Sequence, residues 1–197
     1  MNYPKVCGEP WTEIADPVLA RRWCVMMMAG IAAERHAPNS RQQIAQHEAG
    51  HLIAAWRLGF KIGGAAIVTN ADNTLSRGLA HVETRLTGAT GGGGIDSVSL
   101  TRPKTKCSDI WRVARIVSIH GWGSGWRGIL RVVREIFEEA KALIISKENL
   151  WVMMDLAGEI ERLGVLSAEQ VRMGLYLALG RGASWNFGVE VDRAHTA

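Results

Sequence analysis

Apolar residues return every third or fourth position over most of this 197-residue chain, and clusters of Gly, Pro, Asn and Asp cut the pattern into segments. Asp16-Pro17 reads as a helix start, with Asp as N-cap and Pro in the first turn. The pattern behind it predicts a helix from about Pro17 to Ala37, ended by Pro38. Inside that helix the run Cys24 to Gly30 is continuously apolar, so the helix is expected to be well buried, with its three consecutive methionines as core filling. A second helix is predicted over Arg41 to Gly59, where Ile44, Ala45, Ala49, Leu52, Ile53 and Trp56 recur at helical spacing. Two strand candidates follow, Gly63 to Asn70 and Ser76 to Leu86, joined by a turn at Ala71 to Thr74. The second alternates, with Leu79, His81, Glu83 and Arg85 on one face and Ala80, Val82 and Thr84 on the other.

Thr87 to Thr105 carries no period and is rich in glycine, which predicts a loop. Helical periodicity resumes over Lys106 to His120, breaks at the glycines of His120 to Trp126, and returns over Arg127 to Ser146 and Lys147 to Leu163. Ser167 and Gln170 form a capping box that opens a last helix to about Leu179. The expected fold is α+β and predominantly helical. A small β-hairpin or sheet lies beside the second helix, and a helical bundle closes the chain. Residues 1–197 are read as one domain, with an irregular N-terminus over 1–15, a glycine-rich loop over 87–105 and a loose tail over 180–197.

Composition narrows the function classes. Apolar residues make up 47% and charged residues 21%, as in ordinary globular proteins, and the net charge of +4 is dispersed without a nucleic-acid motif. Cys7, Cys24 and Cys107 lie far apart and form neither a CxxC pair nor an even disulfide framework, so a reducing, cytoplasmic setting is expected. The longest apolar run, Trp23 to Ala33, is too short to span a bilayer, and the acidic N-terminus is unlike a signal peptide. The glycine run Gly91 to Gly94 lacks the lysine of a phosphate-binding loop.

The chemistry concentrates in the second helix. His47, Glu48 and His51 stand in the order H-E-x-x-H. Two histidines four apart share a helix face and can grip one ion, and Glu48 sits where its carboxylate could reach a water on that ion. The pattern fixes only three positions, but the apolar flanks half-bury the histidines, and buried imidazoles need partners. A site of this type takes a third protein ligand from elsewhere in the chain and leaves a fourth position open. The strand over Ser76 to Leu86 is the candidate for an edge that pairs with an extended substrate, through Gly78, Ala80, His81 and Val82.

The stretch IAQHEAGHLIAAWRLGF resembles the zinc-binding helix of the FtsH family of AAA-linked metallopeptidases, matching at Ala45, His47, Glu48, Ala49, Gly50 and His51. The resemblance implies a zincin-like peptidase domain, a Zn2+ cofactor bound by His47 and His51, and Glu48 as catalytic base. The segment Cys107 to Arg115, CSDIWRVAR, resembles the family segment that supplies an aspartate ligand, which places Asp109 there. Ala29 to Ala37, AGIAAERHA, resembles a family helix that normally follows the zinc helix, whereas here it precedes it. Its Glu34 is the alternative third ligand, or a carboxylate behind the ligands. The implied function is an ATP-independent zinc metalloendopeptidase acting on peptides or unfolded proteins, as a stand-alone enzyme, a homo-oligomer or the partner of a separate unfoldase. The alternative from another class is a catalytically silent relative that binds proteins as an adaptor or inhibitor.

Overall fold

The computed structural model describes residues 14–34, 40–69, 76–83, 98–99 and 109–179. Helix α1 (Pro17–Glu34) begins where Asp16 accepts the N–H of Val18 at 2.8 Å. It is buried almost all round from Trp23 to Gly30, as its unbroken apolar run requires. Met26 and Met27 are fully enclosed, and truncating either to alanine would cost about 2–5 kcal/mol. Trp23 meets Phe60 edge-on, with ring centres 5.7 Å apart. Helix α2 (Ser40–Arg57) packs along α1 on one side, and Gly59, at φ 79°, turns the chain out of it into the sheet.

Strands β1 (Lys61–Thr69) and β2 (Ser76–Glu83) form an antiparallel pair whose register shifts between Ile62 and Ala65, at the Gly63-Gly64 step. β3 (Val98–Ser99) and β4 (Val165–Leu166) extend them into a sheet of order β3-β2-β1-β4. The expectation of an edge strand is corrected at His81 and Val82 alone. β2 pairs with β1 along its length, and two residues of the predicted loop return to pair with it, Ser99 opposite His81 and Val98 opposite Val82. From Ser76 to Ala80 its second side meets no strand among the described residues.

Helices α3 (Asp109–Ile119), α4 (Gly125–Ile145), α5 (Lys147–Leu163) and α6 (Ala168–Leu179) complete the fold. α4 lies on α1, α5 on α2 and α6 on β1, so the C-terminal helices share one core with the N-terminal half. The predicted capping box forms, with Gln170 accepting from Ser167 N–H and Ser167 Oγ accepting from Gln170 N–H. α4 starts two residues earlier than the apolar pattern indicates, because Gly125 takes φ 62° and turns the chain into it. Side-chain clamps tie α2 to α5, Gln46 to the Met154 sulfur at 3.3 Å among them. Arg57 donates to Asn149 at 2.7 Å, and Arg41 donates to the Glu161 carbonyl in the last turn of α5. The turn at 71–74, the residues 1–13, most of the loop at 87–105 and the tail from 180 lie outside the described residues. Among the described residues no helix is long and apolar enough to cross a membrane.

Candidate metal centre

One helical turn separates His47 from His51 on α2. Their rings meet at 89°, and their Nε2 atoms are 2.9 Å apart. Asp109, the first residue of α3, brings Oδ2 to 3.1 Å from His47 Nε2 and 3.6 Å from His51 Nε2. A tetrahedral ion with bonds of about 2.0–2.1 Å spaces its ligand atoms about 3.3 Å apart, and the three separations bracket that value. The trio can hold a metal ion.

Small residues let the helices come close enough to build this trio. A Cβ added at Gly30 of α1 would stand 2.6 Å from two ring atoms of His51 and 3.0 Å from His47 Cε1. One added at Gly50 of α2 would stand 2.7 Å from the Ala29 carbonyl and 2.7 Å from Ala33 Cβ. The α1–α2 crossing therefore brings backbone against ring at the site itself.

Hydrogen bonding fixes what the rings present. His51 Nδ1 lies 2.9 Å from the Met26 carbonyl, which can only accept, so Nδ1 carries a hydrogen and Nε2 is the nitrogen turned to the site as a ligand atom. On the far side of His47, Nδ1 touches the Glu34 carboxylate, which lies off the N–H direction but favours the hydrogen on that nitrogen. Two imidazole lone pairs and a carboxylate oxygen thus converge on one point, an arrangement that repels itself unless a cation or a proton sits there. Without an ion the proton takes the place. Burial opposes a charge on His47, but the Asp109 and Glu34 carboxylates, with Glu48 beyond, outweigh it and raise its pKa to about 10. Burial would likewise raise the Asp109 carboxyl, and its hydrogen bonds and charge contacts with His47 and His51 override that and hold it well below the usual carboxylate range.

Glu48 is 4% exposed. Burial pushes its carboxyl above the usual range, against the pull of both histidines and of the Ala80 N–H that donates to it. Its Oε2 has no hydrogen-bond partner among the described residues. Gly78 of β2 lies directly against the other oxygen, and the place a Cβ would occupy there is filled by the Glu48 carboxylate. Gly78 and Ala80 therefore border Glu48, Val82 is buried in the core, and His81 is described in its backbone alone.

The structure brings His47, His51 and Asp109 together at the ion position, sets Glu34 behind His47 and sets Glu48 beneath β2. Three contributors had not been singled out from sequence: the Met26 carbonyl, Gly30, and Arg112, whose Nη1 donates to Asp109 Oδ1 at 3.4 Å. Gly30 left a trace, a glycine inside a helical period, which commonly marks a close approach. No protein-family model, curated protein or solved structure matches the chain.

Proposed function

We propose that the chain is a zinc-dependent endopeptidase, with His47, His51 and Asp109 as ligands and Glu48 as general base. The observation that carries this is the convergence of three lone-pair atoms beside a buried carboxylate that lacks a full set of partners. The donor set, two imidazoles and one carboxylate, suits zinc with an open fourth position. Charge supports a divalent ion. Among the described residues the Glu34 and Glu48 carboxylates stand beside the trio, whose own Asp109 is met by one buried guanidinium, Arg112. A zinc ion held there would supply Lewis acidity for the scissile carbonyl and for the attacking water. Glu48, its basicity raised by burial, takes the proton of that water and returns it to the leaving amine. The side of Ser76 to Ala80 that meets no strand among the described residues runs next to Glu48, and its main-chain groups suit pairing with an extended peptide. The resemblance of the HEAGH helix to FtsH-type peptidases points to the same chemistry, and an extended peptide or an unfolded chain is the form of substrate that such pairing would take.

One observation favours a second reading, a metal-holding protein that binds partners without cleaving them: Glu48 is far less accessible than its place beside a substrate would suggest. Hydrolysis of an unstructured protein such as casein by zinc-loaded chain, with Glu48→Gln alongside, separates the two. Cleavage that disappears in the variant while zinc remains near one per chain supports the peptidase. Zinc binding without cleavage supports the binding protein.

A further inference from the structure

The two oxygens of Asp109 have different partners. Oδ2 faces the Nε2 atoms of His47 and His51, whereas Oδ1 faces the guanidinium of Arg112, one turn along α3. The Arg112 side chain is 7% exposed, and a guanidinium so enclosed is costly unless a negative group meets it. A ligating carboxylate free to turn about its last bond can offer an ion both oxygens, and the second oxygen would fill the position that a three-ligand site leaves open. Outer groups that hold a ligand decide which atoms it presents.

We propose that Arg112 is a positioning residue that occupies Oδ1, so that Asp109 offers the ion Oδ2 alone and the fourth position stays free. The proposal rests on the metal-centre reading above. One Nη1 donor makes the contact at 3.4 Å, from a planar, always-charged guanidinium whose shape and reach the lysine ammonium does not reproduce.

Cobalt(II) is the probe, because its visible absorption is intense in four-coordinate sites and weak once a fifth or sixth ligand is added. Wild type should bind cobalt with intense bands. Arg112→Lys, which keeps the charge and loses the planar shape, and Arg112→Met, which keeps the bulk and loses both, should bind about 10-fold to 100-fold more weakly, with weaker bands. Circular dichroism reports whether each variant folds. Weak bands in wild type overturn the proposal, and so do folded variants that match wild type in affinity and spectrum. If the methionine variant does not fold, the lysine variant decides, and if neither folds, the wild-type spectrum decides. His47→Ala is measured in parallel. Should it bind cobalt as wild type does, the metal centre itself is misplaced, a result distinct from failure of the Arg112 role alone.

Discussion

Gly30→Ala tests how the site is built. The added Cβ would lie 2.6 Å from His51 Cε1 and Nε2 and 3.0 Å from His47 Cε1, against an ordinary contact of about 3.5 Å, so the rings must yield by nearly an ångström. His51 has little room to do so, because its other nitrogen is held by the Met26 carbonyl at 2.9 Å. Ligand distances tolerate about 0.2 Å, so metal affinity should fall at least 10-fold to 100-fold. Stability responds less clearly. Overpacking costs about 1–3 kcal/mol, while replacing glycine inside a helix returns about 1 kcal/mol. Affinity is therefore the deciding readout, taken by competition with a zinc-binding dye and compared with thermal melts of the metal-free protein. Gly158→Ala is the control. It lies in α5 with nothing within 4 Å of its added Cβ, and should gain about 0.5–1 kcal/mol without touching metal binding. Gly30→Ala with wild-type zinc affinity would refute the placement of α1 against the ligand rings.

Gly78→Ala should leave zinc bound but displace the Glu48 carboxylate, cutting peptidase activity by 10²-fold or more, and retained activity would show that β2 does not cover Glu48. Because His47 without metal has its pKa raised to about 10, it is protonated at pH 7, and zinc uptake must expel that proton. Affinity should thus rise with pH towards 10, and titration calorimetry in buffers of different ionisation enthalpy should find about one proton released per zinc. A heat independent of buffer would mean that His47 is not a ligand. Burial raises the Cys24 thiol to about 12, against a smaller lowering by Arg21, so it should ignore disulfide reagents at pH 8 in the folded protein and react only as the chain unfolds.

The helices were legible because their burial follows a period that sequence displays: α5 spans the residues read for it, and α2 differs by one residue at its start and two at its end. His47, Glu48 and His51 were legible for the same reason, since spacing along one helix fixes which side chains are neighbours. Asp109 lies on another element, and only its likeness to a family segment singled it out. No local rule brings the first residue of α3 to α2. The contribution of Gly30 depends on where two helices cross, which the apolar run of α1 leaves undetermined because every side of it is buried. β3 was invisible, since two residues are too few to show alternation, and its return beside His81 and Val82 covers that end of a strand read as an edge along its whole length.

The seam between α1 and α2 has a thermodynamic consequence. Gly30 brings main chain, not side chain, against the His51 ring, and the Met26 carbonyl holds the opposite nitrogen. Main chain inside a packed helix has no alternative rotamers, so the imidazole surrenders its torsional freedom when the core condenses. An arriving ion then meets a group already immobilised, and little of its binding free energy is lost to ordering. The entropy of assembling the site was surrendered in folding, by residues that never touch the ion.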